Sequence, residues 1–406
     1  MQSAGEDKLI IAMVGLPAMG KSTVAQKLKE NLEKAAIRVA IFNNGEVRRR
    51  LFPKNTSHAE FYDPKNAANA ALRDDIALIN IYGAKDFLNQ GGEVAILDAT
   101  NVGRTRRSKV RSHLAGLSVL FVECVNDDVE LHQASIQRKI KLSEFAHLTP
   151  AEAQASFEAR IAHYRTEASP FIDGEDFIRV DSLNNAVLEE RLRGYIPFYP
   201  MLRDILVSDW VKSLYLVRHG ETFYNLEDRI GGDSELTQRG HDQAFALARH
   251  FQEVDFPYVF VSTRKRTLQM VQELVRGRRQ CSVIPLREFD EIDAGVCEDL
   301  SYAEVKARMS EEYAARGRDK YNYVYPRGEG YVTLKERVTR GLRKALYLSG
   351  NAGNILIVGH QAVNRMILSH FLFRRTEDVP FIYIPQTKYF YIVSTHTKKL
   401  IEHKPF

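Results

Sequence analysis

The chain has 406 residues, a length that suggests two domains, and its 44% hydrophobic and 27% charged residues are a globular composition. The formal charge of +5 is scattered rather than gathered into a basic stripe, which argues against a nucleic-acid surface and favours pockets for small anions. Three cysteines are too few for a disulfide framework and no apolar run approaches the ~20 residues of a membrane span, so the sequence predicts a cytoplasmic protein that binds no membrane.

Strand and helix patterns alternate through the first half of the chain. The strand patterns run from Lys8 to Leu16, Arg38 to Phe42, Val94 to Asp98 and Leu117 to Cys124, and a helix pattern runs from Ser22 to Lys34. Nearly continuous apolar runs are typical of parallel strands that are buried on both faces. We therefore predict a doubly wound α/β domain over residues 1–205.

A second set of strand patterns follows a change in composition. DSLNNAV, from Asp181, leads into a predicted short charged helix, and two nearby prolines favour a linker around Pro197 to Lys212. Further strand patterns begin at Ser213 and run from Tyr258 to Thr263, Cys281 to Leu286 and Asn354 to His360. With helix patterns between them, they predict a separate α/β domain over residues 213–406, and no internal repeat relates it to the first.

A glycine-rich loop joins the first predicted strand to the first predicted helix. Its sequence, Gly15-Leu-Pro-Ala-Met-Gly-Lys-Ser22, matches the phosphate-binding loop pattern in full and has the flanking elements that the pattern requires. Lys21 can neutralise the β and γ phosphates of a nucleotide, and the Ser22 hydroxyl can ligate Mg²⁺. The first half is therefore predicted to transfer a phosphoryl group.

Asp98 ends the third predicted strand, where an acidic residue faces the metal and the phosphates in such domains. It can hold the Mg²⁺ shell or orient the acceptor hydroxyl. Basic clusters follow the second and third strands, and they comprise Arg48, Arg49 and Arg50, and then Thr100, Arg104, Arg106 and Arg107. Because arginine binds phosphate oxygens in bidentate fashion, these clusters predict an acceptor that already carries a phosphate.

The second half places histidine and arginine at three strand ends. Arg218 and His219 end one strand, His360 ends another, and Arg266 follows a third. A neutral imidazole can attack phosphorus, and an arginine beside it can hold the phosphoryl oxygens. The pattern resembles the histidine phosphatase superfamily, in which two histidines and two arginines surround the phosphoryl group. A metal site at the two histidines is the alternative, but no cluster of ligands with metal spacing accompanies them.

The leaving alkoxide of such a reaction needs a proton. Glu291, in the segment from Phe289 to Gly295, is the predicted general acid. Asp290 and Asp293 are nearby alternatives.

Motifs along nearly the whole chain resemble the bifunctional 6-phosphofructo-2-kinase/fructose-2,6-bisphosphatase family. In chain order they are GLPAMGKS, FNNGEVRR, LDATNVGRTRR, LVRHGET, RIGGDSELTQRG, EIDAGVCEDLSY, YVYPRGEGY and GHQAVNR. The resemblance implies a kinase half that makes fructose 2,6-bisphosphate from fructose 6-phosphate, ATP and Mg²⁺. It also implies a phosphatase half that hydrolyses the bisphosphate through a phosphohistidine.

The resemblance also implies roles for individual residues. ATP contacts are implied for Gly15, Leu16, Pro17, Ala18, Met19, Gly20, Lys21, Ser22 and Thr23, with Asp98 near the transfer site. Contacts to fructose 6-phosphate are implied for Arg48 or Arg49, Arg73, Thr100, Arg106, Arg160 and Tyr164. In the phosphatase half, His219 matches the nucleophile and Glu291 the proton donor, and contacts to the bisphosphate are implied for Asn225, Gly231, Tyr302, Arg316, Lys320, Tyr331, Gln361 and Arg365.

A doubly phosphorylated sugar needs a second anion site at some distance from His219. Arg316, Lys320 and Arg365 can supply its charge. Tyrosine hydroxyls can bind phosphate oxygens without adding charge that would hold the product too strongly.

The sequence departs from the family pattern in three places. Asn126 stands where the family usually has cysteine, and the stretch from Arg138 to Phe145 is shorter than its counterpart, so both Lys139 and Lys141 are candidates for the adenine side. The chain adds little before its first strand and after its last one, so we expect no control through phosphorylated tails.

Two other functions stay open at this point. The kinase half could act on another phosphosugar or polyol phosphate, with the phosphatase as an unrelated activity, or one half could bind its ligand without turnover. The predicted partners are small molecules, and a homodimer is left open.

Overall fold

The computed structural model describes residues 7–52, 56–372 and 374–406, so residues 1–6 of the first predicted domain lie outside it. Contacts divide the chain into two compact units, and the division falls between Asp209 and Trp210. Within the described residues, each unit is built around one six-stranded sheet. None of the helices in this part of the chain is both long and apolar enough to span a bilayer.

The first unit alternates strands and helices. Its elements are β1 (Leu9–Val14), α1 (Lys21–Lys34), β2 (Val39–Asn43), α2 (Asn44–Leu51), α3 (Ala67–Asn89), β3 (Val94–Asp98), α4 (Arg104–His113), β4 (Ser118–Val125), α5 (Val129–Lys139), α6 (Pro150–Glu167), β5 (Asp176–Asp181), β6 (Ala186–Arg191) and α7 (Tyr199–Val207). The strand order is β2-β3-β1-β4-β5-β6, and all neighbours are parallel except β5 and β6.

The second unit has a similar layout with an antiparallel edge. Its elements are β7 (Val211–Arg218), α8 (Phe223–Leu226), α9 (Gln238–His250), β8 (Tyr258–Val261), α10 (Lys265–Val275), β9 (Ser282–Pro285), α11 (Tyr302–Arg308), α12 (Ser310–Arg318), α13 (Tyr331–Ser349), β10 (Ile355–Gly359), α14 (Gln361–Phe371), β11 (Lys388–Ser394) and β12 (Lys399–Pro405). The strand order is β12-β11-β7-β10-β8-β9, and β11 is antiparallel to both of its neighbours.

The position of strand β1 in the core explains why its sequence is apolar throughout. It is buried along its whole length, and alternate residues of a strand face opposite sides of the sheet. One side packs against a cluster that includes Leu28 of α1, and the other packs against a cluster that includes Ile81 of α3. The predicted doubly wound α/β class is confirmed for this unit, and β10 has the same complete burial in the second unit.

Two sequence predictions near the end of the first unit are wrong. The linker predicted from Pro197 to Lys212 contains α7, whose Leu202 and Ile205 are buried against the α1 side of the core. The charged helix predicted after DSLNNAV is instead β6, which pairs with β5 across a tight turn. Charged residues suit this edge strand because its residues reach solvent, and a local pattern cannot reveal the pairing.

The prediction that Arg107 belongs to the acceptor site is also wrong. Arg107 is fully buried, and its Nε donates to Glu175 Oε1 at 3.0 Å. Its terminal nitrogens donate to the carbonyl oxygens of Val102 at 2.6 Å and Pro170 at 2.8 Å. These contacts tie α4 to the segment before β5, so Arg107 supports the fold.

Replacing Arg107 with alanine should destabilise the first unit by about 3–5 kcal/mol, because it leaves Glu175 buried without its partner. Urea unfolding of Arg107→Ala, followed by circular dichroism and hydrogen exchange in β5, measures this loss. Arg104→Ala is the control, since Arg104 lies exposed on the same helix. Equal unfolding midpoints for the two variants would contradict the assignment.

Candidate functional site

The loop after β1 has the backbone geometry of an anion-binding turn. Gly15 has φ 139°, and a Cβ there would lie 2.5 Å from the carbonyl oxygen of Cys124, so the close approach to β4 requires glycine. Ala18 and Gly20 also have positive φ values, and Gly20 is the residue before α1. Positive φ values in a loop that leads directly into a helix N-terminus are typical of anion-binding turns.

Lys21 lies at the start of α1 and is folded into the loop. Its Nζ donates to the carbonyl oxygen of Leu16 at 2.7 Å. Burial lowers the pKa of Lys21 to about 8, and Asp98 opposes this change through its negative charge. A bound polyphosphate would supply further negative charge and stabilise the lysine as a cation.

Asp98 ends β3 and is 5% exposed. Asn43 lies opposite it in the β2–β3 register, and the Asn43 amide donates to the Asp98 carboxylate. The Asp98 carboxylate and the Ser22 hydroxyl are the hard oxygen ligands that Mg²⁺ prefers. Among the described residues, no group of three or more His, Cys, Asp or Glu side chains lies close enough to form a metal cage.

Arg48 is held by residues that the sequence did not single out. It is 4% exposed, and its guanidinium donates to the carbonyl oxygen of Thr56 at 2.9 Å, to the Tyr62 hydroxyl and to the Glu144 carboxylate. Arg49 is more exposed and lies 3.9 Å from the other Glu144 oxygen. Glu144 therefore orders the arginine cluster after β2.

Arg160 and Tyr164 of α6 approach the same cluster. The Arg160 guanidinium lies 4.1 Å from the centroid of the Tyr62 ring and 6.0 Å from that of Tyr164. Burial, and then the charge of Arg160, lowers the pKa of Arg48 to about 10. Such crowding of like charge favours a bound anion.

The remaining acceptor candidates lie between α3 and α4. Arg106 donates to Asp74 at 2.5 Å and to the carbonyl oxygen of Arg73 at 3.3 Å. Arg73 lies 3.7 Å from Glu167. The carbonyl oxygen of Thr100 accepts from the Gly15 amide at 3.0 Å, so the turn after β3 is tied directly to the phosphate-binding loop.

The two lysines left open by the sequence differ in burial. Burial lowers the pKa of Lys139, and the Asp98 carboxylate opposes that change, so the Lys139 amine lies within the electrostatic reach of the site. Lys141 is exposed. The structure therefore favours Lys139 over Lys141.

In the second unit, the strand ends bring His219 and His360 together. The His219 amide donates to the carbonyl oxygen of Gly359 at 3.1 Å, and the two imidazole centroids lie 5.2 Å apart. His219 Nδ1 lies 2.7 Å from the carbonyl oxygen of Gly220. Because a carbonyl only accepts, Nδ1 carries the proton and Nε2 keeps its lone pair.

Both histidines are neutral at pH 7. Burial lowers the pKa of His219 well below its usual value, and the charges of Arg266 and Arg218 add to the effect. Burial and the charge of Arg266 also lower the pKa of His360 well below its usual value. A neutral imidazole with a free Nε2 lone pair is a competent nucleophile.

His360 has the opposite tautomer. Arg266 Nε donates to His360 Nδ1 at 3.1 Å, so the proton of His360 lies on Nε2, which is 2.7 Å from Ser262 Oγ. Ser262 was not among the residues predicted from the sequence. It holds the His360 ring in a fixed orientation beside His219.

Glu291 lies at the N-terminus of α14. Its carboxylate accepts from the amides of Gln361 at 3.0 Å and Ala362 at 3.2 Å. The two alternatives face away, since Asp290 accepts from the Thr263 amide at 2.7 Å and Asp293 caps a local turn. Glu291 lines the same cavity as His219, and neither alternative does.

This cavity has a volume of about 140 Å³ and is lined mainly by polar and basic side chains. Its wall includes every residue for which the resemblance implied a contact to the bisphosphate: Asn225, Gly231, Tyr302, Arg316, Lys320, Tyr331, Gln361 and Arg365. Five other polar side chains line the cavity, and no sequence pattern distinguished them as site residues: Thr222, Tyr224, Arg229, Tyr323 and Tyr325.

A cluster of cations occupies part of the cavity wall. Burial, and then the charges of Arg316 and Arg365, lowers the pKa of Lys320 to about 8. Arg365 donates to the Tyr331 hydroxyl at 3.0 Å, and Arg316 donates to the Tyr302 hydroxyl at 3.4 Å. This arrangement is suited to a second phosphate in addition to one beside His219.

Comparison with known proteins covers both units. The sequence model of 6-phosphofructo-2-kinase matches residues 1–199, and that of the histidine phosphatase superfamily (branch 1) matches residues 214–403. The 6-phosphofructo-2-kinase/fructose-2,6-bisphosphatase 3 of Rattus norvegicus is 33% identical over 388 residues, which cover 93% of this chain and 68% of the rat protein. The chain belongs to the 6-phosphofructo-2-kinase/fructose-2,6-bisphosphatase family.

Other members of this family match over the same extent. The Caenorhabditis elegans 6-phosphofructo-2-kinase/fructose-2,6-bisphosphatase is 33% identical over 391 residues, which cover 93% of this chain and 84% of that protein. The human 6-phosphofructo-2-kinase/fructose-2,6-bisphosphatase 3 is 33% identical over 388 residues, which cover 93% of this chain and 72% of the human protein. The family resemblance inferred from the motifs is confirmed.

The lowered pKa of Lys320 predicts a pH dependence of anion binding. Below pH 8 the amine is a cation, and as the pH rises through 8 it loses its proton and its attraction for phosphate. The dissociation constant for inorganic phosphate should therefore rise by up to about tenfold per pH unit above 8. Calorimetric titration between about pH 7 and pH 10 measures this change.

Lys320→Arg is the matched control, because a guanidinium stays charged throughout this range. Its dissociation constant should be much flatter above pH 8. An identical rise in both proteins would contradict the role of Lys320.

Proposed function

We propose that this chain phosphorylates fructose 6-phosphate at O2 with ATP in its first unit and hydrolyses fructose 2,6-bisphosphate in its second. The family match over both units supports the pair of reactions. For the hydrolysis, the supporting observation is a neutral His219 with a free Nε2 in a cavity lined by cations. The free cysteines Cys124, Cys281 and Cys297 suit a reducing compartment, so we also propose a cytoplasmic location.

In the kinase unit, the loop from Gly15 to Thr23 binds the ATP phosphates through its backbone N–H groups. Lys21 stabilises the charge on the transferring phosphoryl group. Ser22 and Asp98 would hold Mg²⁺, which when bound neutralises phosphate charge. Asp98 also accepts a hydrogen bond from the O2 hydroxyl of the sugar and orients it for attack.

The acceptor phosphate binds among arginines. Arg48 and Arg160 lie close together around Tyr62, and Arg106 of α4 contacts Asp74 and the carbonyl oxygen of Arg73. Their guanidinium groups match the geometry of phosphate oxygens, so an acceptor with a phosphate is favoured over a neutral sugar.

In the phosphatase unit, His219 Nε2 attacks the phosphorus at C2. The bond from phosphorus to O2 breaks, and Glu291 acts as the general acid that gives a proton to the departing O2. Arg218 and Arg266 stabilise the oxygens of the transferring group. Water then attacks the phosphorus and gives a proton to Glu291, the bond from phosphorus to His219 Nε2 breaks, and inorganic phosphate leaves.

The cations of the second proposed phosphate site explain the choice of a bisphosphate as substrate. Arg316, Lys320 and Arg365 bind the phosphate at C6, whereas the C2 phosphate lies beside His219. A sugar that lacks the second phosphate loses these contacts and binds more weakly. A homodimer of this enzyme stays a prediction.

Lys21→Ala should abolish phosphoryl transfer from ATP and leave the bisphosphatase rate near that of the wild type, because the two sites lie in separate units. Coupled assays of both reactions on one preparation measure this split. Asp98→Asn is a second variant with the same expected result. Loss of both activities in a folded protein would reject the two-site account.

A phosphohistidine should be trapped when the enzyme is quenched soon after mixing with bisphosphate that carries a labelled C2 phosphate. The label should be acid-labile and base-stable, and it should be absent in His219→Ala. Glu291→Gln should slow the formation of the intermediate by about 10²–10⁴-fold, because O2 departs without a proton. Label on His360 in the wild type would reverse the assignment of the two histidines.

A further inference from the structure

A segment between α14 and β11 contacts the cavity through its backbone. Pro380–Ile384, here named the carbonyl strap, supplies three carbonyl oxygens that accept from cavity cations. The pairs are Lys320 Nζ with Pro380 O at 3.3 Å, Arg365 Nε with Ile382 O at 2.8 Å, and Arg218 Nη1 with Ile384 O at 3.1 Å. One short segment thus contacts cations of both proposed phosphate subsites.

The three carbonyls belong to alternate residues of the strap. Pro380 lies in the last turn of a short 3-10 helix, whose final carbonyls lack partners within the helix. The helix ends at Ile382, with φ −59° and ψ 127°. The side chains between the three carbonyls, Phe381 and Tyr383, are 69% and 73% exposed.

Burial holds the strap at both ends. Val379 and Pro380 are buried on one side, and Ile384, 2% exposed, and Pro385 are buried on the other. Just beyond the strap, Gln386 Nε2 donates to Asn225 Oδ1 at 2.9 Å. The strap therefore has a fixed position relative to the cavity.

The strap contacts these cations through neutral carbonyl groups. A carbonyl dipole orients a guanidinium or ammonium group and leaves its net charge available to the ligand.

We propose that the carbonyl strap is a positioning element that aligns the cations of both phosphate subsites for a single bisphosphate. The proposal rests on the bisphosphatase function proposed above. Because one rigid segment contacts Arg218 beside His219 and the distal Lys320 and Arg365, it sets the spacing between the subsites. The strap thereby favours sugars whose two phosphates match that spacing.

A glycine and an alanine at position 383 form a matched pair that tests the strap. Both remove the same exposed ring, but only glycine gives the backbone additional freedom. Tyr383→Gly should raise KM for the bisphosphate about two- to fivefold relative to Tyr383→Ala, which corresponds to the ordering cost of one glycine.

Inorganic phosphate separates positioning from general damage to the site. It occupies one subsite, so its inhibition constant should change less between the two variants than KM for the bisphosphate does. Melting temperatures show whether both variants are folded, and Phe381→Gly with Phe381→Ala repeats the comparison if Tyr383→Gly is not. Equal KM values in glycine and alanine variants, or equal changes for both ligands, would overturn the proposal.

The proposed function can fail independently of this test. If the wild type does not hydrolyse the bisphosphate, that failure concerns the proposed function alone. Calorimetric binding of the bisphosphate and of inorganic phosphate then compares the same variants. A larger loss of bisphosphate affinity in Tyr383→Gly supports the strap, and an equal loss for both ligands rejects it.

Discussion

Buried positive charge is the constraint on which the phosphatase unit depends. Arg218 and Arg266 lie beside two buried histidines, and burial lowers the pKa of both arginines. A protonated histidine in this environment would add a further charge, so His219 and His360 stay neutral. The same charge that keeps the nucleophile neutral attracts the phosphoryl group that it attacks. Nucleophile activation and substrate binding thus have one physical origin.

The two histidines have different tautomers and therefore different roles. The Gly220 carbonyl fixes the proton of His219 on Nδ1, which leaves Nε2 free to attack. Arg266 and Ser262 hold His360 in the opposite tautomer. A backbone carbonyl therefore orients the nucleophile, whereas side chains orient His360. Catalytic geometry in this unit depends on both kinds of contact.

Features with a strong local signal could be predicted from the sequence. The apolar pattern of β1 and the loop that follows it identified the first sheet, and the family motifs gave the residues around both candidate sites. Features that depend on distant pairing could not. β6 is charged because it is an edge strand, and α7 lies in a proline-containing stretch. Arg107 and Glu144 reveal their partners only in three dimensions, because a sequence does not show which arginine pairs with which carboxylate.

In this protein, one chain adds a phosphoryl group to a sugar phosphate and removes the same group at a second site. A direct test incubates the wild-type enzyme with fructose 6-phosphate and with ATP that is labelled at its γ-phosphoryl group, and it follows the label over time. The label should appear first in the sugar bisphosphate and then, after a lag, in inorganic phosphate. Release of labelled phosphate without the sugar, or without a labelled bisphosphate before it, would contradict the account.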